Sequence, residues 1–174
     1  MKHVLSVLVE NQPGVLVRVA GMFSRRGFNI DSLAVGVTHK PEYSRMTVVV
    51  TGDQTVVDQV IKQLSKLVEV ISVQVLDAKS SVTRGMAMIK VNAGEHRSDI
   101  LKLAEIFRAN VVDISEPTVT MEITGDEEKI KAFTELLVPY GIEEVVCTGL
   151  IGLKRGSSTI YQIQECEYYE QNVL

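Results

Sequence analysis

The sequence contains no tryptophan, two cysteines and three histidines, and aromatic residues make up 5% of it. Cys147 and Cys166 have neither paired spacing nor a nearby histidine, which excludes a sequence-readable zinc site and argues against a disulfide framework. Cys147 lies in an apolar run and is expected to be a buried small hydrophobe. The histidines, at positions 3, 39 and 96, are dispersed, and His96, beside an expected helix start, reads as solvated. Strands without exposed aromatic rings offer no platform for stacking bases. Lysines and arginines scattered through a chain of net charge -4 form no concentrated basic surface for phosphates, so nucleic acid is not an expected partner. There is no uninterrupted apolar run long enough to span a bilayer. Residues 4–9 are apolar behind Lys2 and His3, but the run is short, contains Ser6, stops at Glu10 and is followed by no small-residue cleavage site. The expectation is a cytoplasmic protein with no membrane partner.

What is present is ample core material, with 45% hydrophobic and 23% charged residues in 174. The chain therefore reads as globular. Its length fits one domain or two, and internal similarity has to decide.

Residues 4–9 are β-rich and apolar on both sides, which predicts a central strand. Val15, Leu16, Val19, Ala20, Met22 and Phe23 then recur at helical spacing, and Gly27 is placed to end that helix in the left-handed conformation glycine adopts cheaply. Strands follow over 30–38 and 45–51, joined across Lys40-Pro41-Glu42-Tyr43. Gly52-Asp53-Gln54-Thr55 opens a second helix with Asp53 or Thr55 as cap, and residues 68–76 form a fourth strand. The order β-α-β-β-α-β is the split βαβ, or ferredoxin-like, unit.

Asp77-Ala78-Lys79-Ser80-Ser81 is polar and aperiodic, the best linker candidate. The pattern then restarts: a strand over 86–91, a helix stripe from Ile100 to Phe107 behind Ser98-Asp99, strands over 110–114 and 119–123, a helix over 126–137 and a closing strand over 142–151. Gly149-Leu150-Ile151-Gly152 precedes no helical pattern and reads as a strand end rather than a dinucleotide fingerprint. Val50-Thr51-Gly52-Asp53 is echoed by Ile123-Thr124-Gly125-Asp126, each a strand passing through a Gly-Asp turn into a helix. The expected fold class is α+β, with two ferredoxin-like βαββαβ domains at 1–77 and 83–155, a linker at 78–82 and a tail at 156–174 without fixed structure. Tyr168-Tyr169 in that tail suits a docking role.

Glu10-Asn11-Gln12-Pro13-Gly14-Val15-Leu16 falls at the first strand-helix junction. Unpaired N–H groups and the positive end of the helix dipole there favour an anion such as a carboxylate. Asn11 offers both a donor and acceptors, Pro13 stiffens the approach without an N–H, and Gly14 lets a carboxylate reach the N–H groups of Gly14, Val15 and Leu16. Asn29, in Gly27-Phe28-Asn29-Ile30-Asp31, is a second polar candidate. Spacing alone favours the plainer reading of a capped turn and a helix stop, because turns use these residues for local reasons.

The run Leu5-Ser6-Val7-Leu8-Val9-Glu10-Asn11-Gln12-Pro13-Gly14-Val15-Leu16, with Arg18-Val19, Phe23-Ser24-Arg25-Arg26-Gly27-Phe28-Asn29-Ile30 and Ser44-Arg45-Met46-Thr47, resembles the small regulatory subunits of acetolactate synthase. So do Lys62-Gln63-Leu64-Ser65-Lys66-Leu67-Val68 and Glu105-Ile106-Phe107-Arg108-Ala109-Asn110-Val111-Val112-Asp113. The resemblance runs from about Met1 to Gly156 and is more specific in the first half. It implies an N-terminal ACT domain, a ferredoxin-like module that binds an amino acid at a dimer interface, followed by a second domain of similar fold. It further implies that Asn11 and Gly14 of one subunit, with Asn29 and Ile30 of the facing one, surround a feedback amino acid, usually valine, whose carboxylate is held by the N–H groups of Val15 and Leu16. The implied partners are a second copy of the chain and a large catalytic subunit carrying thiamine diphosphate, a magnesium ion and a flavin (FAD). This chain itself is expected to have no cofactor and no catalytic activity.

Two other classes share some of these features. A free-standing amino-acid-binding module would carry the same site and differ only in its partner. A small hydrolase with Arg18 and Asn29 as phosphate and water positioners lacks an activated nucleophile or general base.

Overall fold

A computed structural model describes residues 1–162. They fall into two compact units, Met1–Val82 together with the chain from Leu153, and Thr83–Gly152. Cys166 and the Tyr168-Tyr169 pair lie outside the described residues.

In the first unit β1 (Lys2–Glu10) is central, as its two-sided apolar character predicts. It pairs antiparallel with β3 (Tyr43–Thr51) on one side and β4 (Val70–Val75) on the other, and β2 (Ser32–Val37) pairs with β3 at the margin, giving the order β2-β3-β1-β4. Leu5, Val7 and Val9 face a core with Val15, Val19, Met22 and Phe23 of α1 (Val15–Arg26) and Val57, Val60 and Leu64 of α2 (Gln54–Leu64). Burying each of these large side chains contributes roughly 1.5–3 kcal/mol. On the opposite face Ser6, Leu8, Thr47 and Val49 are buried as well. Gly27 ends α1 as the sequence predicts: at φ +68° its N–H donates to the Ser24 carbonyl (3.1 Å), and the Phe28 N–H donates to that of Phe23 (3.0 Å).

The second unit repeats the plan. Strand β5 (Ser81–Asn92) is flanked by β7 (Thr118–Gly125) and β8 (Ile142–Cys147), with β6 (Asn110–Ile114) outside β7, in the order β6-β7-β5-β8; β9 (Ile151–Lys154) also pairs with β5. Helices α3 (Arg97–Phe107) and α4 (Glu127–Leu137) supply Ile100, Ala104, Phe133 and Leu137 to a core with Ala87, Ile89, Val91, Met121 and Ile123. The two Gly-Asp turns are the same device. Asp53 Oδ1 accepts from the Val56 N–H (2.9 Å) and Asp126 Oδ1 from the Lys129 N–H (2.8 Å), each at a helix N-terminus. The architecture is thus α+β, built of two βαββαβ units.

Four expectations need correction, the first on the tail: it is expected to lack fixed structure from 156, but residues 156–162 are described, and in them Ile160 is 3% exposed. The closing strand is two, because Thr148-Gly149-Leu150 interrupts it and Gly149 takes φ +79°. Cys147 is exposed rather than buried. It ends β8, and every residue from Glu143 to Cys147 on that marginal strand is exposed, so an apolar run there does not mean a core. Strand β5 starts at Ser81, ahead of the Met86 start expected. Apolar alternation fails over its first residues, which Ser81, Thr83 and Arg84 make polar.

Candidate functional site at the first strand-helix junction

Strand β1 ends at Glu10, whose N–H donates to the Glu69 carbonyl (2.9 Å), and the chain turns through Asn11-Gln12-Pro13-Gly14 into α1. Asn11 is anchored to the loop between β2 and β3. Its backbone N–H donates to the Glu42 carbonyl (2.8 Å), its Nδ2 donates to the Pro41 carbonyl (2.8 Å), and its Oδ1 accepts from Ser44 Oγ (3.0 Å). A primary amide has two N–H groups and two carbonyl lone pairs, so one of each is left on this exposed side chain for a ligand.

Gly14 is the N-cap of α1 at φ +86°, with no side-chain capping bond and no acidic residue in the first turn. The Val15 N–H reaches the Gln12 carbonyl at a long 3.4 Å, and the Arg18 N–H donates to the Gly14 carbonyl (3.0 Å). Among the described residues, no acceptor faces the N–H groups of Leu16 and Val17. The space where a Gly14 Cβ would stand has nothing within 4 Å. An uncapped helix N-terminus with open space above it attracts a carboxylate through its N–H groups and dipole. The side chain of Val15 is in the core, so only its backbone faces this end. Arg18 pairs with the carboxylate of Glu69 at the approach to β4, which ties the first turn of α1 to the sheet.

The equivalent junction in the second unit differs. After Asn92, the N–H groups of Ala93 and Gly94 both point to the Pro117 carbonyl (2.8 and 3.3 Å), and Glu95 puts an acid in the 3-10 turn Gly94–His96 that precedes α3. Those two donors are engaged, and the Glu95 carboxylate disfavours an anion there.

Asn29 and Ile30 lie at the other end of the sheet. Asn29 Nδ2 donates to Asp31 Oδ1 (2.8 Å), Asp31 Oδ2 accepts from Thr51 Oγ1 (2.6 Å), and the Asp31 N–H donates to the Val49 carbonyl (2.9 Å). Ile30 packs against the core. Asn11 touches Ser44 and Asn29 is tied through Asp31 to Thr51, which is 51 − 44 = 7 residues further along β3. At about 3.3 Å per residue the two asparagines stand roughly 23 Å apart. One chain does not bring them together. The edge between them is β2, where Val35 and Val37 are 46% and 61% exposed, and α1 presents Leu16 and Val17 at 43% and 73%.

The partners Pro41, Ser44 and Glu69 carry no sequence signal of their own. Each is recognisable only once the strand register brings residues distant in sequence side by side. Burial lowers the Arg45 guanidinium below its ordinary pKa, with the Tyr161 hydroxyl opposing the shift. Arg45 Nε donates to Ser6 Oγ (2.7 Å) on the sheet face away from the helices. Among the described residues no group of three or more His, Cys, Asp or Glu side chains converges as a metal site would require, and no helix is long and apolar enough to cross a membrane.

Comparison with known proteins bears on both units. Residues 5–72 match the family model described as an AHAS small subunit-like ACT domain, and residues 84–156 match the small subunit of acetolactate synthase. The chain is 53% identical over 158 residues to the probable acetolactate synthase small subunit of Archaeoglobus fulgidus, covering 90% of this chain and 99% of that one. It is 49% identical over 155 residues to the acetolactate synthase small subunit of Mycobacterium bovis, covering 88% and 92%. The crystal structure of the small subunit from Thermotoga maritima superposes with a TM-score of 0.85 at 41% identity, covering 91% of this chain and 99% of that one. The two family matches, the identity over nine-tenths of the chain and the shared fold agree: the chain belongs to the acetolactate synthase small-subunit family.

Proposed function

We propose that this chain is the effector-sensing subunit of a cytoplasmic acetolactate synthase, and that two copies join through their β2 edges to build two amino-acid sites. The separation of Asn11 and Asn29 carries the reading. Val37 pairs with Ser44 at the Asn11 end of the sheet, and Ser32 pairs with Val49 at the Asn29 end. An isologous antiparallel pairing of two β2 strands sets the Val37 end of one copy against the Ser32 end of the other. Asn11 and Gly14 of each copy then meet Asn29 and Ile30 of its partner. The exposed Val35, Val37, Leu16 and Val17 supply apolar surface for such a contact.

The ligand that fits is a small apolar amino acid, with valine as the expected one. Its carboxylate meets the N–H groups of Val15 and Leu16 at the helix N-terminus, and the remaining amide groups of Asn11 and Asn29 orient its polar end. The partner is the large catalytic subunit, carrying thiamine diphosphate, magnesium and FAD. The free small subunit favours the active conformation of that partner, and the bound amino acid shifts the small subunit toward a state that favours it less. A coupling of about 1–3 kcal/mol gives a several-fold to hundred-fold change in affinity.

The test is calorimetry of the full chain with valine, leucine and isoleucine, alongside the rate of the enzyme reconstituted with its large subunit. Saturable binding of at least one of the three, with a matching fall in rate, is expected. If valine changes neither the rate nor the affinity between subunits, the feedback reading is wrong.

A further inference from the structure

Residues 155–162, which follow β9, supply none of the proposed effector residues, yet they pack within the first unit. The Arg155 N–H donates to the Ser80 carbonyl (2.8 Å). Gln74, which pairs with Ser6 on the sheet face turned away from the helices, donates from Nε2 to the Thr159 carbonyl (3.1 Å). Ile160 is 3% exposed. A turn closed by the Gln162 N–H to the Thr159 carbonyl (3.3 Å), and by the Thr159 N–H to Gln162 Oε1 (3.2 Å), fixes the two residues between them.

The second of these is Tyr161, and its ring lies against the loop between β2 and β3. The ring centroid is 5.3 Å from that of His39 in an edge-on arrangement and 6.4 Å from that of Tyr43, and Lys40 Nζ is 4.9 Å from the centroid. Edge-on aromatic pairs and an ammonium over a ring are both attractive geometries. The same loop supplies the Pro41 and Glu42 carbonyls that anchor Asn11, and Ser44 Oγ, which donates to its Oδ1, follows directly at the start of β3. The loop also closes on itself, through the Thr38 N–H to the Tyr43 carbonyl and the Tyr43 N–H to the Lys40 carbonyl (both 2.9 Å). It keeps its shape as a unit, and what holds the unit against the sheet includes Tyr161.

We propose that Tyr161 is a positioning residue for Asn11: the turn at 159–162 grips the β2–β3 loop from one side, and the loop presents Asn11 to the effector from the other. The proposal rests on the effector reading for its consequence, but not for its geometry. It makes residues 159–162 a determinant of effector affinity that acts through the loop.

The test uses the full chain with Tyr161→Ala, Tyr161→Phe and His39→Ala, read by residue-resolved amide hydrogen exchange and by valine calorimetry. In Tyr161→Ala the Asn11 and Tyr43 amides should exchange about tenfold faster, while the Val56 amide bonded to Asp53 is unchanged, since local opening is confined to the elements that lose contacts. Valine affinity should fall roughly five- to twentyfold, within the usual range of coupling between sites. Tyr161→Phe keeps the ring and should restore both values. His39→Ala removes one ring contact from the loop side and should move both in the same direction by less. If the wild-type chain binds no branched-chain amino acid, the effector reading fails, and the exchange data still decide the positioning role. Unchanged Asn11 exchange in both Tyr161→Ala and His39→Ala overturns the proposal. So does wild-type valine affinity in a Tyr161→Ala protein whose Asn11 amide has been loosened.

Discussion

Gly14 combines a backbone requirement with a ligand requirement. Its φ of +86° is left-handed, where a side chain other than glycine's costs roughly 1–2 kcal/mol, with Asn and Asp the best tolerated. The open space over its Cα means that a new side chain meets no protein atom, only whatever occupies the helix N-terminus. Asn and Asp share a shape and differ in charge, so the pair separates strain from electrostatics. Gly14→Asp should abolish valine binding, because its carboxylate occupies the position of the ligand's. Gly14→Asn should bind about tenfold or more better than Gly14→Asp, a difference of at least 1.4 kcal/mol. Calorimetry on both variants checks this. Both should still activate the large subunit, since the fold is intact, and loss of activation in both would point to misfolding instead. The sequence made Asn11 and Gly14 visible because turn and cap chemistry is local. It did not show that the Asn11 amide is half engaged by Pro41 and Ser44, since side-chain pairing across 30 or more residues depends on a strand register that no local pattern encodes.

Among the elements, the two Gly-Asp turns are where the repeat was most legible, and they explain why so little else repeats. The turn demands a helix cap from Asp53 or Asp126 and a residue without Cβ just before it, while the strands and helices around it only need apolar faces. A Cβ at Gly52 would stand 2.7 Å from Val56 Cβ, and one at Gly125 2.7 Å from Lys129 Cδ and 3.1 Å from Lys129 Cβ. Val56 is β-branched and stiff at χ1, whereas the Lys129 side chain can swing its outer atoms away. Gly52→Ala should therefore destabilise by about 1–3 kcal/mol, as overpacking does, and Gly125→Ala by clearly less. Urea unfolding of the two variants measures the difference, and equal losses would mean that the two turns are not set by these neighbours. Edge elements were the least legible. Strand β6 is exposed along its whole length and β8 along nearly all of it, so apolar residues there did not report burial, and Cys147 misled for that reason. Helix α3 ends on Arg108 at φ +54°, where α1 ends on Gly27. With no glycine at that point, the stop carried no sequence signal.

For the whole molecule, the proposed effector site is incomplete within a single chain. Within one chain Asn11 and Asn29 hold opposite ends of β3, and neither can move without breaking the bonds that tie Asn11 to Ser44 and Asp31 to Thr51. If each site is shared, a dimer of Asn11→Ala chains has two damaged sites, and so has a dimer of Asn29→Ala chains. A mixed dimer is different. One of its sites carries both substitutions, and the other, built from the Asn11 of one chain and the Asn29 of the other, carries neither. Unfolding and refolding the two variants together at equal concentration gives half mixed dimers, so about one site in four should recover wild-type valine affinity, as twofold symmetry requires. Calorimetry should show a tight class of that size, absent from either variant alone. A site contained in a single chain would recover nothing on mixing, because every chain in the mixture still carries its own substitution. A site formed by Asn11 alone would instead leave the Asn29→Ala dimer binding as the wild type does. The experiment therefore separates a shared site from both alternatives.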